Sequence, residues 1–379
     1  MQQTHYDYII AGTGCAGLSL ALHIVQQPAL RHKKMLLVDE ASKNKNDRTW
    51  CFWEKESGLF ENIVYKQWEQ LWFYSDGFAK PLHIDPYRYK MIRGIDFYNY
   101  CLAELQKHPG VEFLSGRVEK IFSKEETGVL VDGNRFTAAY VFNSILLNKP
   151  SLGKKDIWLL QHFKGWTIET VQPAFDPQSA TLMDFRIPQT KGTAFCYVLP
   201  FSPTKALVEY TLFTASLLQP EEYDEALQQY IGSMLKIDNY SVRETEFGVI
   251  PMTNYRFTQR QNNTVNIGTA GGQTKGSSGY TFYFIQQHSQ RLAQSLATKG
   301  HPFITGTAKR FQFYDSVLLQ VLAANLLQGK DVFAEMFQKN KPQNVLAFLN
   351  NASSLSTELQ LIASLPTAPF FKAARQQLF

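Results

Sequence analysis

An α/β fold is predicted, with a Rossmann dinucleotide-binding domain, an antiparallel β-sheet domain interleaved with it, and helices at the C-terminus. Three observations carry this expectation. The first forty residues read YDYIIAG, GTGCAG, LSLALHIVQQ and KKMLLVDE, which is strand, glycine turn, amphipathic helix and second strand. Residues 155–250 then carry strand-like pieces rich in β-branched and aromatic residues: GWTIETVQP, ATLMDFRI, GTAFCYVLPF, ALVEYTLF and YSVRETEFGVI. Finally NTVNIGTAGG returns to strand-plus-glycine character, and helical periodicity dominates from Tyr280 onward. The expected division is residues 1–145 with 246–300 for the first domain, 150–245 for the sheet domain and 301–379 for the helices.

The opening unit is specific. Gly12, Gly14 and Gly17 form G-x-G-x-x-G directly after a strand and at a helix start. The first glycine permits the turn, the second lets backbone approach a pyrophosphate, and the third lets helix and strand pack closely. Asp39 ends the second strand, where an acid can hydrogen-bond a ribose hydroxyl. Residues 41–75 look irregular and rich in Trp, and the strands and turns to about residue 145 complete the domain.

Gly268, Gly271 and Gly272 follow the strand of NTVNIG. A second phosphate- or flavin-binding segment so far along the chain is the requirement of a glutathione-reductase-like FAD domain, with backbone N–H groups available there. A tight glycine turn at a domain crossing is the alternative.

Composition narrows the function classes. The chain has 379 residues, 44% hydrophobic and 19% charged, with a net charge of +5 and no extended basic cluster, so a nucleic-acid groove is unsupported. Four scattered cysteines suit a reducing compartment and fit no disulfide or metal spacing, and the eight histidines form no HxH or HxxxH pair. No metal site is expected. The N-terminus lacks a secretory pattern, and the apolar run 317–327 is about half the ~20 residues a spanning helix needs. Weak attraction to an anionic membrane surface is compatible with the charge. Aromatics reach 14%, which suits either an aromatic-lined cavity or a Phe-rich core.

Residues 205–214 read KALVEYTLFT, a strand with a carboxylate, Glu209, at its middle. An apolar setting disfavours the anion and keeps such a group protonated. The alternative is a solvent-facing carboxylate paired with a lysine, since Lys205 shares the odd-numbered face.

DRTWCFW (47–53), LMDFR (182–186), LVEYT (207–211), GVIPM (248–252) and GTAGGQTKGSSGYTF (268–282) together resemble bacterial lycopene cyclases of the flavin-dependent β-cyclase type. The resemblance runs from Tyr6 to the helices after Phe311. It implies a fold similar to FAD-containing hydroxylases and geranylgeranyl reductases, and a non-redox reaction that requires reduced FAD, with NAD(P)H as its reductant. The substrates implied are lycopene and related acyclic carotenes, cyclised to β-ionone rings to give β-carotene via γ-carotene. A peripheral site on the cytoplasmic side of the membrane is implied as well. LVEYT matches the family's F-L-E-E-T motif and makes Glu209 the acid–base residue. Its second acid is Tyr210 here, the family's proline in the glycine segment is Gly276, and the Asp of related flavoproteins is Thr269.

Glu169 and Asp184, each among apolar residues, are further carboxylate candidates, and Arg48 and Arg93 are candidates for the FAD phosphates. The aromatic groups 50–53, 67–74 and 279–284 can line a polyene tunnel or fill the core, and the helix 316–327 can lie in a lipid interface or pack inside. Two other classes remain open: a monooxygenase or isoprenoid reductase on the same fold, and a non-enzymatic flavin- or carotenoid-binding protein.

Overall fold

The structure is a computed structural model describing residues 5–147 and 150–378. The first four residues of the N-terminal segment read above lie outside it. The opening unit forms as expected: strand His5–Ala11, helix Cys15–Gln26 and strand Met35–Asp39, the two strands parallel. They belong to an eight-stranded sheet in which His5–Ala11 also pairs in parallel with Asn134–Asn143, and Met35–Asp39 with Val111–Ser115. Thr264–Asn266 adds in parallel to Asn134–Asn143, so the chain does return to this sheet after a long excursion. Nine of the twelve residues of the Cys15–Gln26 helix are buried between the sheet and the long helix Phe282–Lys299.

The excursion supplies five strands of a seven-stranded sheet, in the order 240–253, 158–170, 205–214, 193–202, 179–184, 70–75, 78–83. All its pairings are antiparallel except that of Gln70–Ser75 with Ser179–Asp184. Two outer strands therefore come from residues 70–83, within the stretch expected to complete the first domain. The strand Tyr240–Thr253 runs past the expected boundary at residue 245. Both differences arise because strand pairing joins segments far apart in the chain. A three-stranded sheet of Thr49–Glu54, Arg88–Arg93 and Lys66–Trp68 lies between.

Alternation along Lys205–Thr214 divides the large sheet's two faces. Val208, Tyr210 and Leu212 pack with Tyr223, Leu227 and Tyr230 of the helix Pro220–Ser233. Leu207 and Phe213 face the other way, into a core shared with the C-terminal helices, where Phe73, Phe185, Phe195, Phe333 and Phe337 meet. Ser316, Val317, Leu319, Val321 and Leu322 of the helix Lys309–Ala323 are buried, so this apolar run packs inside rather than lying in an interface. The outward apolar side chains sit further along: Leu355 and Leu359 on Leu355–Ala363, Phe371 and Leu378 on Thr367–Leu378. Among the described residues no helix is long and apolar enough to cross a membrane.

Candidate active site

The glycine turns and the odd-numbered face of Lys205–Thr214 open on one cavity of about 470 Å³. One part of its wall is Gly14, Cys15, Ala16, Ser144, Gly268 and Thr269. Another is Glu209 with Leu207, Tyr89, Tyr197 and Tyr280.

The turn fits a phosphate. Gly12 has φ +89°, which favours glycine, and a Cβ there would collide with Ser144 Oγ. A Cβ on Gly17 would collide with the Gly12 carbonyl, which is the close packing the third glycine was expected to permit. At Gly14 nothing lies within 4 Å of where a Cβ would stand, although the residue caps a twelve-residue helix. That helix has no acid in its first turn and no side-chain cap, so its N–H groups face open space. Asp39 stands beside the turn and is already engaged. Its Oδ2 accepts from the Thr13 N–H at 2.6 Å and pairs with Lys43 at 3.1 Å, and its Oδ1 accepts from the Ala41 N–H at 2.8 Å. These partners hold its carboxyl below the usual range against the opposing effect of burial. A ribose hydroxyl would share this carboxylate with Lys43.

The second glycine segment closes on the first. Gly268 has φ +61°, and its Cβ would come 2.7 Å from that of Ala16. Gly268–Gly271 is a short 3-10 turn ended by Gly272 at φ +76°. Thr269 lines the cavity, the residue that stands where the sequence resemblance implies an aspartate. At Gly276 a Cβ would come 2.5 Å from the Thr253 carbonyl. Gln161 also lines the cavity, and its buried Oε1 has no hydrogen-bond partner among the described residues, an acceptor free for a ligand N–H or O–H.

The two arginines part company. Arg48 is exposed and lines the cavity, with no carboxylate at ion-pair distance among the described residues. Arg93 is held by Asp96 through bonds of 2.6 and 2.9 Å, stacks on Tyr65 at 4.1 Å, and is not among the cavity-lining residues. Its charge is spent locally.

Glu209 is not a solvent-face carboxylate paired with a lysine. Its side chain is half-buried, and what it meets is the cavity. Thr211 Oγ1 donates to its Oε1 at 2.8 Å. Burial pushes its carboxyl well above the usual range, and Glu246 nearby adds to this. Glu246 was not among the residues singled out from the sequence. Its own carboxyl is also raised, chiefly by burial, and its Oε2 accepts from Thr49 Oγ1 at 2.6 Å. Tyr210 points to the opposite face, where it packs near Tyr223.

The other carboxylate candidates are structural. Asp184 is buried and held by Arg186 at 2.9 and 2.7 Å and by the Tyr230 hydroxyl at 2.9 Å. Glu169 is half-buried and pairs with Arg243 at 2.7 Å. Of the aromatic groups, Trp50, Tyr280 and Phe282 line the cavity, while Trp53, Trp68 and Phe73 fill the core. The phenols of Tyr89, Tyr197 and Tyr280 and the thiol of Cys51 are all pushed up by burial and stay neutral. Among the described residues no cluster of His, Cys, Asp or Glu can hold a metal ion.

Comparison with known proteins gives three findings. Residues 7–375 match a family described as lycopene cyclase protein. The chain is 26% identical over 266 residues to a lycopene beta-cyclase of Pantoea ananas, an alignment covering 66% of this chain and 63% of that protein's length. Among solved structures, a geranylgeranyl bacteriochlorophyll reductase-like protein of Thermoplasma acidophilum superposes with a TM-score of 0.64 at 11% identity, covering 98% of this chain and 99% of that one. A flavoprotein/dehydrogenase of Cytophaga hutchinsonii gives 0.62 at 13% identity, with 92% and 93% covered. A flavin-dependent brominase gives 0.61 at 13% identity, with 92% and 94% covered. These likenesses establish the fold.

Proposed function

Because this chain belongs to the lycopene cyclase family, we propose that it is a flavin-dependent lycopene β-cyclase that closes β-ionone rings at the ends of lycopene or a similar acyclic carotene. The product would be β-carotene, formed via γ-carotene, with no net oxidation or reduction. The observation that carries the reading is Glu209, a carboxyl kept neutral by burial, on the wall of the cavity that also holds the open glycine turn.

A terminal C=C bond is a very weak base. Only an acid still protonated near neutral pH, held where water is excluded, can deliver a proton to it. Glu209 gives up its O–H proton as a C–H bond forms. The cation then closes a C–C bond from a neighbouring π bond, and a ring C–H proton returns to a carboxylate oxygen, so product and substrate are isomers. The faces of Trp50, Tyr197 and Tyr280 offer electron density to the cation. Gly12, Gly14, Gly17, Arg48 and the Gly268–Gly272 turn would hold FAD, with Asp39 at the ribose. When bound and reduced, FAD would supply negative charge to the site, and NAD(P)H would serve only to reduce it. A carotene dissolves in lipid, so the protein would work at a membrane surface, docked through the exposed apolar side chains of residues 355–378.

The test is anaerobic conversion of lycopene in liposomes by protein carrying dithionite-reduced FAD. A new pigment isomeric with lycopene, lost in Glu209→Gln, is the expected result. A product differing in mass by hydrogen or oxygen would instead assign this chain to the redox enzymes that share the fold.

A further inference from the structure

Glu209 and Glu246 lie on strands that flank the same central strand, and both stand directly opposite Gly165 on it. Directly paired residues share a sheet face, so the two acids lie on one face about 10 Å apart at the backbone. The missing side chain at Gly165 lets them meet. A Cβ there would come 3.0 Å from Glu246 Cγ, 3.1 Å from Glu246 Oε1 and 3.0 Å from Leu207 Cδ1, which places the Glu246 side chain across Gly165 toward Glu209. Glu246 Oε2 is satisfied by Thr49, but its Oε1 is buried with no hydrogen-bond donor among the described residues. A proton on Glu209 supplies one.

We propose that Glu246 is a positioning residue whose carboxylate accepts a hydrogen bond from the Glu209 carboxyl, so that the pair shares a single proton. This rests on the cyclase reading for its consequence, but the proton itself can be sought without substrate. Glu246 does not line the cavity and acts through Glu209. Before the reaction the shared proton is on Glu209. After Glu209 donates it to carbon the pair is doubly anionic, which raises the affinity of Glu209 for the proton that the ring carbon must lose. The two transfers balance, and no oxidant or reductant enters. The family motif's second acid is Tyr210 here and faces away, so the second carboxylate at this site comes from a different strand.

The charged and titratable groups facing the pair are Arg48, Cys51, Tyr89 and Arg93 from the small sheet and its flank, Tyr197, Lys205 and Glu244 from the large sheet, and Tyr280 from the glycine segment. The thiol and phenols stay neutral, and Arg93 is paired with Asp96. The Thr49 hydroxyl, donating to Glu246, favours charge there and so leaves the proton on Glu209; Glu244 opposes this and Arg48 supports it.

The experiment is infrared titration of the protonated-carboxyl C=O band in holoprotein without lycopene, alongside the pH profile of cyclisation, for wild type, Glu246→Gln, Glu246→Asp and Glu209→Gln. Expected is one band near neutral pH, absent in Glu209→Gln and titrating at lower pH in Glu246→Gln. The alkaline limb of activity should shift down with it by a unit or more, a roughly tenfold loss on that limb, with partial recovery in Glu246→Asp. Thermal unfolding confirms that each variant is folded. A band and limb unmoved in Glu246→Gln, with wild-type cyclisation intact, overturns the shared proton and leaves the cyclase reading standing. The predicted bands without any cyclisation overturn the cyclase reading and leave the shared proton standing.

Discussion

Gly279 lies against Gln161, so close that a Cβ on the glycine would overlap the amide of the glutamine, and its φ of +72° is in the left-handed region. One residue belongs to the segment after the second glycine turn, the other to the strand Trp158–Thr170 of the large sheet, and this contact seats the first against the second on the cavity wall. Gly279→Ala therefore meets both steric overlap and backbone strain. A loss of about 1–3 kcal/mol is expected, read as a lowered denaturation midpoint with reduced flavin retention. An unchanged midpoint would show that the contact yields freely.

The glycines of the first turn separate stability from binding. Gly14→Val adds a side chain to open space at an extended residue, so thermal stability should hold while flavin absorbance per protein falls steeply. Gly17→Ala forces the turn against the Gly12 carbonyl and should lose stability first, by about 1–3 kcal/mol. Equal stability losses in both variants would contradict the open cradle.

Stability should depend on pH at Glu209. Its folded-state carboxyl is raised above the ordinary value, so above that value the native chain holds a proton that the unfolded chain has released. Wild-type stability therefore falls as pH rises from the ordinary carboxylate range toward the native one. Glu209→Gln does not titrate and should gain on wild type by up to about 1.4 kcal/mol per pH unit across that window. Denaturant unfolding at about pH 5 and about pH 8 measures it. A variant less stable at the higher pH would mean the carboxyl is ionised in the folded protein.

Lipid docking is expected from side chains that are otherwise hard to place. Leu355, Leu359, Phe371 and Leu378 are each 60–71% exposed. Leu355, Leu359 and Ile362 are spaced i, i+4, i+7, so they share one stripe of their helix. The acid of these helices, Glu358, is buried and bound by Arg310, leaving Lys372 and Arg375 as the exposed charges. Leu359→Glu with Phe371→Glu should cut co-sedimentation with vesicles containing anionic lipid at least several-fold while leaving the fold intact. Unchanged sedimentation would remove this surface from consideration.

The parts of the molecule governed by local spacing were legible in the sequence. The Gly12–Gly17 turn and Asp39 follow from short-range pattern, and Glu209 stood out because its neighbours are apolar. Glu246 did not, because its strand runs against the usual alternation. In SVRETEFGVI, the apolar Phe247 and Val249 are exposed while Glu246 between the exposed Thr245 and Phe247 is turned inward. A reader who turns the apolar residues inward puts the acid in solvent, and a one-residue change of phase reverses every face. The only hint was a glycine inside GWTIE, where a strand interior disfavours one. The placement of residues 70–83 was hidden for a related reason, since their partner strand lies about a hundred residues further along. Arg93 illustrates the converse: its bound acid is only three residues away, and composition alone did not show that Asp96 had already claimed it.

Gly165 carries no reactive group, yet it governs whether the two acids beside it are in electrical communication. A methyl at that position would crowd Glu246 Cγ and Oε1 at 3.0 and 3.1 Å and wedge apart two carboxyls that now share a proton. Sequence variation there is therefore a change in wiring rather than in chemistry, and Gly165→Ala would test the connection while leaving both carboxylates in place.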